Sequence, residues 1–390
     1  MVAGWLMVKL ASELMVAGSS FEQVESYYKI RLPDDLQPWH DVLSKSGLLG
    51  KDNYIRLLPP AEVFEAKKGV LTPDLVPIFQ DIYDNVLGWR ESPLDAAGGG
   101  WYWYDYDESC LGSLGPAFRG MLRALAFALA CEAWRGYGRS SGTTHSPEET
   151  LAEAKAVLRL PGLFDQSEQM LRSIGEMESR RGPPTDNFLS FWMSLLSDGV
   201  AVPIFAEAAA LRDWRTGRTL AAAAIWQKTL AVDRTSCLIH WHLGMAALVN
   251  GDSEEATRHF STAFEGSWEN QYNRFLAFPG YEVTDLAAVA RFLRGDPGKY
   301  VATSRFPELR ELLLSGGLDD VGAWRETLAR CLRSGNLDGA KIVAINGALY
   351  PAWPDCLDKD PGYFRYCLDV LTEVYQKRGL GTRVEHLADA

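Results

Sequence analysis

The sequence predicts two parts, an α+β N-terminal domain over residues 1–140 and an all-α domain of helical repeats over 146–390. Three observations carry that prediction. Strand-like runs, one ended by Pro59-Pro60 and another an alternating aromatic stretch at 101–107, are confined to the first third of the chain. Arg135 to His145 is rich in glycine, serine and threonine, and Ser146-Pro147-Glu148-Glu149 then restarts helix with a capping box and a proline at the first helical position. Beyond that point helical spacing takes over, and the block from Ala206 to Ser267 repeats itself.

Taken in order, Met1 to Gly18 is apolar but interrupted by Lys9 and Glu13 and has no basic leader. That predicts an amphipathic helix rather than a signal peptide or a membrane span. Ser19-Ser20 caps a helix from Phe21 to Tyr28. Pro33-Asp34-Asp35 opens the next helix, because proline suits a first turn and aspartates suit the positive end of the helix dipole. Trp39, Val42 and Leu43 give it an apolar stripe, and Gly47 ends it. Tyr54 to Leu58 reads as a strand, followed by the short helical Ala61 to Phe64.

A helix, then "LPDDL" at 32–36 with an aromatic, a glycine turn, and a strand leading to "LLPPAEV" at 57–63 resembles the start of the SUKH superfamily. That superfamily includes immunity proteins of bacterial polymorphic toxin systems and a fungal regulator of cell-wall synthesis. Val76 to Phe79 with Asp81 and Asn85 resembles its first central strand and turn, Trp101 to Asp107 the next strand, and Ala117 to Leu122 its closing helix. The resemblance covers about residues 20–135, and Glu65 to Asp74 and Glu91 to Gly100 are longer than the pattern needs.

The run Trp101-Tyr102-Trp103-Tyr104-Asp105-Tyr106-Asp107 follows three glycines and has two aromatic faces. Such a strand suits a sheet covered on both sides. Two readings stay open: core filling, or a partner-binding patch built on Trp101 and Trp103, since tryptophan and tyrosine are favoured interface anchors. The acids at 105, 107 and 108 lack the glycine and the bidentate glutamate of a calcium loop.

In the second part, Leu151–Leu160, Gln166–Arg180 and Asn187–Ser197 read as helices broken at Pro161-Gly162 and Gly182-Pro183-Pro184. Leu243, Gly244, Gly251, Ala256, Phe260 and Ala263, stepped back by 34 residues, land on Ala209, Ala210, Gly217, Ala222, Trp226 and Thr229. Each unit is a helix, a turn glycine and a second helix, with Asp252 and Glu255 at capping-box positions. A related pattern recurs at Trp324, Leu328, Gly335, Ala340, Ala344 and Gly347, 84 residues after the second turn glycine. Tyr281–Arg294 and Phe306–Leu314 read as the helices between them, and Gly362 to Arg378 as a capping helix.

The period and the helix–turn–helix layout over about 203–355 resemble the tetratricopeptide repeat family, so the second domain is expected to be tetratricopeptide-like. By that resemblance the concave groove is lined by Ile204, Glu207, Leu211 and Trp214 in one copy and Leu238, Trp241, Met245 and Leu248 in the next. Family members that clamp a peptide carboxylate use lysine and asparagine where this chain has Glu207, Leu211, Trp241 and Met245, so the charged clamp is absent. An apolar groove remains, with Leu211, Trp214, Trp241, Met245 and Leu248 as candidate contacts. Either another helix of the chain or a partner's apolar segment fills it.

Composition excludes several classes. A formal net charge of −12 with no cluster of lysine and arginine argues against nucleic-acid binding. The cysteines at 110, 131, 237, 331, 356 and 367 show neither metal-type pairing nor a dense disulfide framework, which points to a reducing, cytoplasmic setting. His240 and His242 diverge on a helix, while His259 faces His240 from the next helix, so a shared site or a purely structural contact both remain open. No nucleophile elbow, phosphate loop, zinc motif or dinucleotide fingerprint is present.

The expected function is therefore non-catalytic: binding of a protein partner, with no catalytic residue, metal, cofactor, nucleic acid or membrane involved. By resemblance to the SUKH superfamily, its purpose is immunity, the neutralisation of a toxin or effector by direct binding. A regulatory or assembly scaffold that docks client proteins on the repeats is the rival reading. An enzyme whose site is assembled from distant residues is the third.

Overall fold

The computed structural model describes residues 20–48, 50, 53–64, 66, 72–91, 99–105, 110–137, 146–160, 167–180, 210, 213–214, 216–231, 237–265, 307–315, 317, 320–349 and 360–389. The expected helices over 1–18, 187–197 and 281–294 lie outside them.

The first half is an antiparallel sheet wrapped by helices. Helices α1 (Phe21–Tyr28) and α2 (Leu36–Ser46) precede β1 (Ile55–Leu57) and the short α3 (Pro60–Val63). The strands β2 (Leu75–Asp81), β3 (Val86–Arg90), β4 (Gly100–Asp105) and β5 (Cys110–Gly115) then run as a meander, with sheet order β1-β2-β3-β4-β5 and every neighbour antiparallel. The β2–β3 turn is built by Asp81, whose Oδ1 accepts from the amides of Tyr83 and Asn85 at 2.8 Å each. Proline has no amide to give the ladder, and the β2–β3 register shifts just after it, between Pro77 and Phe79.

The sequence pattern announced neither β3 nor β5. Cys-Leu-Gly-Ser-Leu-Gly has weak strand propensity and is held extended by pairing with β4. Alternation along β4 gives the two buried faces expected of it: Trp101 and Trp103 join one core, while Tyr102 and Tyr104 join Leu75, Val86 and Leu111 on the other side. On α2, Leu43 is buried and Trp39 packs on the core, but Val42 is 43% exposed and stands off the expected stripe.

The main core does not stop at the expected boundary near 146. Helix α4 (Phe118–Tyr137) runs past Arg135, and α5 (Pro147–Leu158) and α6 (Ser167–Arg180) add Leu151, Val157, Met170 and Ile174 to the core under the sheet. The capping box at Ser146 forms in both directions, and Glu153 accepts the Tyr54 amide at 2.9 Å, tying α5 to the sheet. Packing thus carries the sheet module through residue 180.

The described residues of the second half are helical. The described elements are α7 (Thr219–Leu230), α8 (Cys237–Val249), α9 (Ser253–Glu265), α10 (Pro307–Leu314), α11 (Val321–Ser334), α12 (Leu337–Leu349) and α13 (Pro361–Lys377), followed by 3-10 turns at Gly381–Arg383 and Glu385–Asp389. Three turn glycines share one geometry. Gly217, Gly251 and Gly335 have φ of +78°, +78° and +74°, which only glycine adopts without strain. At each turn the glycine amide bonds three residues back and the next amide five back, for example Gly251 to Leu248 at 3.0 Å and Asp252 to Ala247 at 2.9 Å. Asp252 and Asn336 then cap the following helices through the amides of Glu255 and Gly339. The expected capping box is only half formed, because the Glu255 carboxylate turns to Arg258 and His259 instead.

Helices α8 and α9 approach closely at Gly244, where a Cβ would lie 2.7 Å from the Phe260 ring. Trp324, Leu328, Val343, Tyr363, Leu371 and Val374 lead the core shared by α10–α13. Helix α13, expected as a terminal cap, instead carries the chain back to the sheet module, where Arg383 and Tyr375 reach the buried Asp74 beside β2. No described helix is long and apolar enough to cross a membrane.

Candidate protein-interaction surface

Helix α8 is apolar around its circumference because it stands between two cores. Ile239 and Leu243 pack with Ala210, Ala222 and Trp226 on the α7 side. Ala247 enters the core of α10–α13, and Trp241, Met245 and Leu248 lie half-buried against that core. Trp241 sits 5.0 Å from Phe260, ring centre to ring centre. Trp241, Met245 and Leu248, three of the predicted groove residues of the second copy, are therefore brought together, and the chain's own helices cover part of each. Trp214 is half-buried 5.8 Å from Trp226, in the neighbouring cluster. Leu211 lies outside the described residues.

On these helices two large apolar side chains stand open to solvent. Leu220 near the start of α7 is 71% exposed and Val249 at the end of α8 is 60% exposed. Two large apolar side chains held in water by well-formed helices are a small cost to folding and a ready contact for a partner.

Trp101 and Trp103, the other predicted contacts, belong to the interior. Trp101 is fully buried, with Phe118 at 4.9 Å, Trp89 at 5.6 Å and Phe79 at 6.5 Å, so it supports the sheet from beneath α4. As a correction to the partner-patch reading, neither side chain offers a surface, because the helices that follow the sheet lie over that face.

The histidines come together as the sequence allowed. His240 and His259 meet Nδ1 to Nδ1 at 2.9 Å across the α8–α9 hairpin, and His259 Nε2 faces Glu255 at 3.0 Å. Burial pushes the His259 pKa down, partly offset by Glu255. His242 stacks on Trp226 at 4.7 Å, nearly parallel, and burial lowers its pKa to about 3, so it is a neutral packing group. Among the described residues no group of three or more histidine, cysteine or acidic side chains is arranged to hold a metal. Cys331 and Cys367 are free and buried, and burial raises both thiols to about 12. A cleft of about 280 Å³ beside α2 is lined by His40, Ser44, Arg56 and Glu62, but Arg56 already pairs with Glu62 at 2.7 Å and bonds Gln80.

Sequence reasoning missed Asp74. Its carboxylate is fully buried, with Arg383 Nη1 at 2.8 Å on Oδ1 and, on Oδ2, Lys341 Nζ at 3.2 Å and the Tyr375 hydroxyl at 2.5 Å. Burial alone would raise its pKa. The charges of Lys341, Arg90 and Arg383 and the Tyr375 bond outweigh burial and hold it down to about 2. Its partners lie 267 to 309 residues away in sequence, so no local spacing signals them.

No family model, no curated protein and no solved structure matches the chain.

Proposed function

We propose that this chain is a non-catalytic, cytoplasmic protein-binding protein, an immunity protein that neutralises a toxin or effector by covering it. In this reading the first half is a SUKH-like module and the hairpins α7–α9 and α11–α12 are tetratricopeptide-like units that carry the contact. The element order of two helices, a strand, a short helix, a strand meander and a closing helix supports the first part. The shared geometry of the turns at Gly217, Gly251 and Gly335 supports the second.

One observation carries the binding reading. Leu220 near the start of α7 and Val249 at the end of α8 are large apolar side chains standing in water, and Val249 directly follows the half-buried Leu248 on α8, so an apolar partner segment finds contacts on both helices. Free buried thiols at Cys331 and Cys367 fit a reducing compartment. The net charge of −12 suits a basic toxin by electrostatic steering.

The test is affinity capture from the native host with the intact protein, followed by binding measurements on the captured partner with Leu220→Glu, Val249→Glu and Trp241→Glu, folding checked by circular dichroism. A single secreted effector, bound at least tenfold more weakly by the folded variants, supports immunity. Several housekeeping clients, lost in the same variants, support the scaffold reading instead. Unchanged affinity in folded variants removes the apolar side chains of α7 and α8 as the contact.

A further inference from the structure

Arg383 is almost completely buried, and four acceptors surround its guanidinium. Nε donates to the Tyr28 carbonyl at 2.7 Å, Nη2 to the Lys29 carbonyl at 2.5 Å, and Nη1 to Asp74 Oδ1 at 2.8 Å and to the Glu91 carbonyl at 3.0 Å. All four acceptors belong to the sheet module: two at the end of α1, one just before β2, and one just after β3. Tyr28 and Lys29 supply carbonyls that a helix end leaves without partners, and Lys29 takes φ of +49° as it closes α1. A cation there also meets the negative end of the helix dipole.

The flanking residues hold the same alignment. Thr382 donates to the Tyr27 carbonyl at 2.7 Å, Lys29 Nζ to the Gly379 carbonyl at 2.6 Å, and the Tyr27 hydroxyl to Glu385. Leu380, Val384 and Leu387 anchor the segment from behind in the core of α10–α13. A planar fork with donors on three sides fits a carboxylate and three carbonyls fixed in place. An ammonium, with donors converging on one atom, does not.

We infer that Tyr28, Lys29, Asp74 and Glu91 form a guanidinium-binding socket in the sheet module, filled in cis by Arg383 and serving as the latch that fastens the helical half to it. The socket is a property of the sheet module and not of the strap that fills it, so a free guanidinium compound occupies it when Arg383 is cut back. The inference is independent of the exposed Leu220 and Val249.

The experiment uses full-length Arg383→Ala and thermal unfolding with millimolar ethylguanidinium, with ethylammonium at the same concentration as control. The variant is expected to melt several degrees below wild type, and ethylguanidinium to restore more than half of the loss. Ethylammonium restores little, and wild type responds to neither. No loss in the variant, or equal recovery with both cations, overturns the socket. If the variant does not fold alone, the readout becomes the folded yield on refolding with each cation, and a yield that ethylguanidinium does not selectively raise overturns it too. Arg383→Lys adds a second check: the retained charge without the fork is expected to melt well below wild type, and a wild-type melting temperature contradicts the inference.

Discussion

Two junctions among the described residues are built differently. Around α7 and α8 the described contact is thin and apolar: Ala222, Trp226, Ile239 and Leu243 are its buried members on the two helices, joined by Ala210 from before α7. Between the sheet module and the helical half the central contact is charged, with Asp74 facing Arg383 and Lys341 in the interior. An apolar seam accepts small slides of one helix on another, since its attraction is non-directional. A buried carboxylate with directional donors accepts one arrangement only, because every other leaves a charge without its partner. The hairpin seam therefore supplies cohesion, whereas the Asp74 junction supplies a unique alignment of the two halves.

The largest effect is expected where the charge is removed. Asp74→Asn removes the carboxylate that Lys341 and Arg383 face in the interior and should cost roughly 3–5 kcal/mol, measured by urea unfolding. In Trp226→Ala the apolar seam loses its largest buried side chain. The expected cost is about 3 kcal/mol, at the low end for such a truncation, because the alanines around it let the helices close on the gap. If Trp226→Ala proves the more damaging of the two, the contrast between the junctions fails.

Acid separates the junctions by pH. The Asp74 carboxyl has its pKa lowered from 3.8 to about 2, so its contribution is complete above pH 4 and fades as the pH falls from there through 2. His242 is lowered from 6.5 to about 3 by burial. The unfolded chain takes up a proton that the folded chain refuses, so stability is full above about pH 6.5 and declines as the pH falls toward 3. Urea titrations at pH 7.5 and 5 should show a loss in wild type that His242→Phe, which keeps the stack on Trp226, reduces. Asp74→Asn should leave that interval unchanged and flatten only the decline below pH 4.

The smallest effect belongs to the turns. Gly251→Ala forces a side chain into a left-handed conformation at an exposed turn and should cost about 1 kcal/mol, with Gly335→Ala the same within error. Equal penalties mean the two turns are equivalent units. A penalty at only one of them breaks the equivalence.

This division also explains what could be read from the residues. Helix ends were legible because a turn glycine followed by a capping residue such as Asp252 is a local signal, and the two-faced aromatic alternation of β4 was legible from its residues. The two strands β3 and β5 were not, since short or glycine-rich segments become strands only through their neighbours. Trp101 was open to two readings, core or contact, and the packing of Phe118, Trp89 and Phe79 around it decides for the core. Asp74 sat in a segment without regular pattern, and its meaning comes from residues more than 260 positions downstream. Of the expected contact residues, Trp241, Met245 and Leu248 do share one surface, but Leu220 and Val249, the exposed pair, are ordinary apolar helix residues in the sequence.

The central claim is that the Asp74 junction makes the sheet module and the helical half a single cooperative body. Native-state hydrogen exchange in low denaturant tests it most directly, by comparing opening free energies of amides in β2 with those in α13. The account predicts one shared opening energy in wild type that splits into two in Asp74→Asn. Two separate energies in wild type, unchanged by the substitution, would contradict it.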